Sequence, residues 1–243
     1  FDKKICNSML KYCWKLVAVD LLNSIYSSIN SIIIGKKFSK ADVAYYNKSY
    51  NLPQTMFGSV NTAISKVLFP VFAEKDLDKK DRLRMIRRAN RTINYILFPM
   101  LVGLAVIAHP FVIIVFTEKW SKMIIYLQIM CFVWMFQPIQ TSAIQMFKAI
   151  GKSEMYLKLE FIKKICAIII LAVFILWFGN AIGLAWALLV GQILSVLMNF
   201  PLLKRYLGYE YIQQAADLCI PLVLCLIMAM PVLLVGSLVS SEL

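Results

Sequence analysis

Long apolar runs without charge are the feature of this sequence that most restricts its fold. Residues 165–178 are fourteen apolar residues in succession, and residues 218–235 are eighteen residues without a charged side chain. A helix needs about 20 mainly apolar residues to cross a bilayer. A soluble domain of 243 residues, 60% of them hydrophobic, would expose much of this surface to water. The runs therefore predict an all-α integral membrane protein.

Seven membrane-spanning helices are predicted from the apolar runs and from polar residues at helical spacing. The first two are too polar for hydropathy alone, so their assignment depends partly on the polar pattern. An odd number of spans places the two ends of the chain on opposite sides, and the chain starts at Phe1 without a Met. We therefore expect further spans beyond this sequence. The predicted spans are 14–34, 44–72, 93–109, 123–147, 156–178, 181–203 and 211–239.

The basic residues are divided unequally between the two sides of these spans. Nineteen lie on the side of the N-terminus and six on the other, with Lys66 inside the second span. This bias places the N-terminal side in the cytoplasm. The net charge of +13 is thus explained by membrane topology, and we expect no nucleic-acid partner.

The charged segment 74–91 joins the second and third predicted spans. Eight of its residues, from Lys75 to Arg91, are basic. It predicts a helix that lies on the cytoplasmic leaflet, with its arginines close to anionic membrane lipids. The alternative is a dedicated regulatory or partner site.

Polar residues follow one face of three predicted spans, the first, second and fourth. Acyl chains leave such groups unsatisfied, so these faces must point at one another or at a water-filled cavity. We expect these three spans to converge and the fifth and seventh to lie outermost. The alternative is hydrogen bonding between helices without a cavity. The candidate cavity residues are Asp20, Asn23, Ser27, Asn30, Lys48, Asn51, Thr55, Thr62, Lys66, Gln137, Gln140 and Gln145.

Asp20 and Lys66 are the ionisable residues predicted to lie well inside a span. A charge within the membrane is costly and so is a candidate for function. Asp20 is a candidate for cation or proton coupling, and Lys66 for contact with an anionic substrate. Alternatively, each lies near a cytoplasmic end and extends its charge to the interface, or the two form a structural pair.

Signs of catalysis or of cofactor and metal binding are weak. The sequence contains no Gly-rich phosphate loop and no HExxH motif, and its six cysteines form no CxxC pair. We expect no catalytic residues, no cofactor and no metal site. His109 and Asp217 are the seeds for a rival reading as a membrane-embedded glycosyl- or acyltransferase. Glu160 and Lys164 predict a structural i, i+4 pair.

Residues 44–83 carry the clearest family likeness. Tyr45 and Tyr46 are followed by Pro53 and then by a span that ends in the pattern V-x-FP-x-F at residues 67–72. The turns FTEKW (116–120) and AIGKSE (149–154) add to it, although Thr117 stands where the family usually has Gly. Residues 1–205 thus resemble the Wzx-type polysaccharide flippases of the multidrug/oligosaccharidyl-lipid/polysaccharide exporter superfamily.

The resemblance implies the C-terminal half of a two-lobe flippase. Residues 1–205 would form its six-helix lobe and residues 206–243 one additional transmembrane helix, with the N-terminal lobe absent. Its implied substrate is an undecaprenyl-pyrophosphate-linked oligosaccharide, moved across the bacterial inner membrane for surface polysaccharide biosynthesis. A polysaccharide polymerase is an implied partner. A multidrug or lipid II exporter of the same superfamily is the nearest rival.

Overall fold

Helices make up nearly all of the chain that the structure describes. A computed structural model describes residues 3–73, 78–149 and 153–241. A 3-10 turn at Glu118–Trp120 lies between the fourth and fifth α-helices. The α-helices are α1 (Lys3–Lys37), α2 (Lys40–Ala73), α3 (Lys79–Val106), α4 (Ala108–Phe116), α5 (Met123–Met135), α6 (Gln137–Ala149), α7 (Ser153–Phe178), α8 (Ala181–Leu207) and α9 (Tyr211–Ser241).

The predicted all-α membrane protein is confirmed. Within the described residues, six segments are long and apolar enough to cross a bilayer. They correspond to six of the seven predicted spans. The seventh, α2, is a helix of 34 residues and is not among these segments. The six segments are Cys13–Lys37, Leu83–Val106, Met123–Gln145, Glu154–Phe178, Ala181–Leu207 and Tyr211–Pro231.

The third span begins earlier than predicted. Helix α3 runs without interruption from Lys79 to Val106, so residues 79–91 form its first turns. The prediction of a separate helix lying on the leaflet is therefore wrong for these residues; positions 74–77 of the segment lie outside the described chain. The physical reason is that no Pro or Gly occurs between residues 79 and 98, and that buried Ile86, Ala89 and Ile93 continue one apolar stripe.

The fourth predicted span is two helices. Helix α5 ends at Met135 and α6 begins at Gln137, with Phe136 between them. Pro138 explains the break, because its ring excludes the preceding turn and it has no N–H to donate, whereas the first turn of a new helix tolerates it.

Helix α9 is held against α3 by a buried carboxylate. Asp217 is 3% exposed and accepts hydrogen bonds from Arg87 Nε at 2.8 Å, Arg91 Nε at 2.7 Å and the Tyr209 hydroxyl at 2.7 Å. Asn94 donates to the backbone carbonyl of Asp217 at 3.2 Å. Burial, together with this carboxylate, raises the pKa of Tyr209, so its hydroxyl remains a donor. We name these residues the Asp217 clamp.

The helices form a bundle with α5 in its interior and α9 at its outside. Helix α5 lies in the centre, packed against α2, α3 and α8, and α7 packs against α1 and α8. Helix α9 lies outermost, with exposed Ile220, Val223 and Ile227, as predicted. Helix α7 only partly follows the prediction: Ile169 and Leu176 are exposed, but one face of its first three turns, with Tyr156, Glu160 and Lys163, lies in the interior.

The connection between α7 and α8 depends on Asn180. Gly179 adopts a positive φ of 60°, and the Asn180 side chain then accepts a hydrogen bond from Gly183 N at 2.9 Å to cap α8. We expect Asn180→Ala to lower the free energy of unfolding by about 1 kcal/mol, while Asn180→Asp keeps the cap. Unfolding in detergent measures both. Equal stability of the two variants would contradict a capping role.

Candidate functional site

A polar cavity of about 780 Å³ lies between α1, α2, α5, α6, α7 and α8. Polar and aromatic side chains from these helices form most of its lining. The polar lining residues are Asn23, Ser24, Ser27, Ser28, Asn30, Ser31, Asn47, Asn51, Gln54, Gln137, Gln140, Glu160, Lys163, Lys164, Gln192 and Ser195.

The cavity brings together half of the predicted site residues. Asn23, Ser27 and Asn30 of α1, Asn51 of α2, and Gln137 and Gln140 of α6 lie in its wall. The convergence of the three polar faces is therefore present in the structure. That these side chains bind a substrate stays a prediction.

The other half lie outside the cavity wall. Asp20, Lys48, Thr55, Thr62 and Lys66 are exposed, and Gln145 is half-buried. Thr55 donates to the Asn51 carbonyl at 2.9 Å, so its hydroxyl is satisfied within α2. The polar faces of α1 and α2 extend beyond the cavity. The predicted residues of these helices that lie outside the wall are at the ends or edges of those faces.

Asp20 and Lys66 do not form the suggested structural pair. Both are exposed, and no ion pair among the described residues includes either of them. Their proposed roles in coupling and in substrate contact stay predictions.

Part of the polar surface is hydrogen-bonded between helices. Gln192 Nε2 donates to Gln137 Oε1 at 2.7 Å, and the Ser195 hydroxyl donates to Gln140 Oε1 at 3.1 Å. The reading of polar residues as links between helices is thus correct for these α6–α8 pairs. It does not account for the whole wall, because a large open volume remains between the helices.

Three deeply buried polar atoms in the wall have no hydrogen-bond partner among the described residues. They are Asn30 Oδ1, Trp134 Nε1 and Gln140 Nε2, on residues that are 2%, 7% and 8% exposed. Leaving such an atom unsatisfied costs about 1–3 kcal/mol. These three atoms are shielded from solvent, whereas the side chains of Ser27, Asn51 and Gln54 are exposed to the cavity.

The cavity also contains charges that the sequence analysis undervalued. Glu160 and Lys163, both at most 6% exposed, form an ion pair of 2.8 Å. Lys164 Nζ lies 4.6 Å from the centroid of the Tyr26 ring, and no ion pair of Lys164 occurs in the described chain. The predicted Glu160–Lys164 pair is therefore wrong, because the carboxylate pairs with the residue one position earlier.

Aromatic side chains form part of the wall, and the sequence analysis missed them. Tyr46 stacks on Tyr50 with ring centroids 6.2 Å apart, and Tyr50 meets Trp134 edge to face at 5.2 Å. Tyr26 and Tyr156 complete the set. The signal was the position of Tyr46 and Tyr50, one turn apart beside Asn47 and Asn51.

His109 and Asp217, the two candidate residues for a transferase, lie outside the cavity. Asp217 is enclosed by the Asp217 clamp on the far side of α3, and His109 is exposed at the start of α4. No group of three possible metal ligands occurs among the described residues. Neither residue lines the cavity.

Comparison with known proteins places the chain among polysaccharide biosynthesis proteins. A membrane protein of the cps region of Klebsiella pneumoniae is 32% identical over 216 residues, which is 88% of this chain and 44% of that protein. The lipopolysaccharide biosynthesis protein WzxC of Escherichia coli is 28% identical over 216 residues, covering 87% of this chain and 43% of WzxC. The teichuronic acid biosynthesis protein TuaB of Bacillus subtilis is 25% identical over 113 residues, 46% of this chain and 23% of TuaB.

The chain spans less than half the length of these curated relatives. The family model described as "Polysaccharide biosynthesis protein" matches residues 1–125. The resemblance to Wzx-type proteins is thereby confirmed. With its membrane-spanning helices around a polar cavity, the chain belongs to this family of polysaccharide biosynthesis proteins.

Proposed function

We propose that this chain is one lobe of a flippase, without catalytic activity of its own. It would move an undecaprenyl-pyrophosphate-linked oligosaccharide across the bacterial inner membrane for surface polysaccharide biosynthesis. The observation that carries the proposal is the cavity of about 780 Å³ with its lining of amide, hydroxyl and charged side chains. The names of the relatives, which concern polysaccharide biosynthesis and transport, support the same substrate class.

The size and chemistry of the cavity fit a hydrated glycan. A volume of 780 Å³ holds roughly 26 water molecules at about 30 Å³ each. Sugar hydroxyl groups both donate and accept hydrogen bonds, and so suit a wall of amides and hydroxyls. The lipid tail of the substrate would remain in the bilayer while the glycan crosses, as one lobe moves against another.

The charge of the wall favours an anionic substrate over a cationic drug. Lys163 and Lys164 face the cavity, and Glu160 neutralises one of them. The ammonium group of Lys164 is therefore available to a pyrophosphate. This argues for a lipid-linked oligosaccharide, or lipid II, over a cationic drug. A polysaccharide polymerase is the partner that this function would need.

A complementation experiment tests the proposed function. The gene that encodes the complete protein is deleted from its host. Lipid-linked oligosaccharide is then quantified on each leaflet of the inner membrane. We expect it to accumulate on the inner leaflet and surface polysaccharide to be lost, with both defects reversed by the intact gene. Normal display on the outer leaflet without the gene would refute the proposal.

The orientation that this function requires is tested by cysteine labelling. In a cysteine-free background, Lys80→Cys at the exposed start of α3 should resist an impermeant thiol reagent in intact cells. Lys119→Cys, exposed in the 3-10 turn at the opposite end, should react and is the matched control. Labelling of Lys80→Cys but not Lys119→Cys would invert the topology.

A further inference from the structure

A second concave surface lies outside the cavity, along the first turns of α3. It is a groove of about 500 Å³ with five basic side chains, and we name it the α3 groove. Its position is separate from the polar cavity, which contains no α3 residue. The lining residues are Lys80, Leu83, Arg84, Arg87, Arg88, Arg91, Thr92 and Tyr95.

The α3 groove has a surplus of positive charge. The Asp217 clamp holds Arg87 and Arg91, and Asp81 pairs with Arg84 at 3.4 Å. Two carboxylates thus partly balance five cations, which leaves a surplus of three.

The position of the α3 groove selects a lipid over a soluble anion. The apolar span of α3 begins at Leu83, so the groove lies where this helix enters the bilayer. Further along the helix, the same face continues with Tyr95, Ile96 and Met100, which are 49%, 45% and 42% exposed. A phosphate held by the arginines would therefore direct its acyl chains along an apolar, lipid-facing strip.

We propose that the α3 groove binds an acidic phospholipid of the leaflet at which α3 begins, with a headgroup that carries two phosphates. Three surplus cations match two phosphates better than one, and arginine forms paired hydrogen bonds with phosphate oxygens. Arg84 and Arg88 are the residues that contact the headgroup, because both are exposed and the Arg84–Asp81 pair is exposed and weak, whereas Arg87 and Arg91 are held by the buried Asp217. The bound lipid would cover the outside of the α3–α9 contact.

Native mass spectrometry of the complete gene product in detergent tests this site. The probes are diphosphatidylglycerol, phosphatidylglycerol and inorganic pyrophosphate. We expect Arg84→Gln/Arg88→Gln to weaken diphosphatidylglycerol binding on the order of twentyfold, about fivefold for each arginine. Arg84→Lys/Arg88→Lys keeps the charge but loses the paired hydrogen bonds, so its affinity should lie between those of the wild type and the double glutamine variant. Arg205→Gln, an exposed arginine at the end of α8, is the matched control and should bind normally.

Four results would overturn the proposal. Undiminished binding by the double glutamine variant would remove the two arginines from the site. An equal loss in Arg205→Gln would indicate general charge attraction. Competition by pyrophosphate at the same concentration as the lipid would indicate a soluble-anion site, and equal affinity for phosphatidylglycerol would refute the two-phosphate headgroup. Neither arginine is part of the Asp217 clamp, so all variants should unfold at the wild-type temperature.

Discussion

Replacing Lys164 with alanine is expected to reduce transport of the lipid-linked oligosaccharide at least tenfold while leaving the protein folded. The Lys164 ammonium faces the cavity beside Tyr26 and has no ion pair within the described residues. A hydrogen bond to a charged group contributes about 1.5–3 kcal/mol, which corresponds to roughly ten- to a hundredfold. Outer-leaflet appearance of the labelled lipid-linked substrate measures the effect.

Two further variants distinguish loss of the Lys164 positive charge from a general defect in folding. Lys164→Arg keeps the positive charge and should retain much of the transport. Lys158→Ala, on the same helix but 71% exposed and outside the cavity, should transport normally. A Lys164→Ala protein that transports as well as Lys158→Ala would show that the cavity does not use this charge.

Removal of the Asp217 carboxylate is expected to give the largest loss of stability. Asp217→Ala leaves Arg87 and Arg91 as neighbouring cations without their shared counter-ion, and the Tyr209 hydroxyl without its acceptor. Breaking a buried ion pair costs about 3–5 kcal/mol. We expect a decrease of about 3 kcal/mol in the free energy of unfolding, since both arginines are partly exposed and partly regain water. Denaturation in mixed detergent micelles measures it.

The exposed ion pair between Lys204 and Glu210 is the control for this experiment. Its nitrogen and oxygen are also 2.8 Å apart, but its side chains are 41% and 54% exposed. Glu210→Ala should therefore cost much less than Asp217→Ala, because water screens an exposed pair. If Asp217→Ala and Glu210→Ala cost the same, the Asp217 clamp does not hold α9 against α3.

The polar faces were predictable because they depend on spacing within one helix. Asn23, Ser27 and Asn30 recur at intervals of three and four, and such a face in a membrane helix must meet polar surroundings. The length of the wall was not predictable. Lys66 continues the α2 stripe, yet it is exposed and does not line the cavity.

Contacts between residues that are far apart in the sequence were the main features that could not be predicted. Asp217 lies 130 residues from Arg87, and no local pattern links them. The same arginines made residues 79–91 resemble a surface helix, although their partner on α9 allows them to begin a spanning helix. Glu160 had basic residues three and four positions later, and helical spacing permits either pairing. Packing of α7 against α1 places Lys164 over Tyr26, and Glu160 therefore pairs with Lys163.

Photo-crosslinking tests most directly whether the cavity takes the lipid-linked glycan. A photoreactive residue is placed at Ser27, which is exposed to the cavity, or at Ile227, which is exposed on the outermost helix. The complete gene product is then irradiated with substrate labelled in its glycan. We predict saturable crosslinking at Ser27, competed by unlabelled substrate, and only weak, non-saturable crosslinking at Ile227. Equal crosslinking at both positions, or none at Ser27, would contradict a glycan-binding cavity.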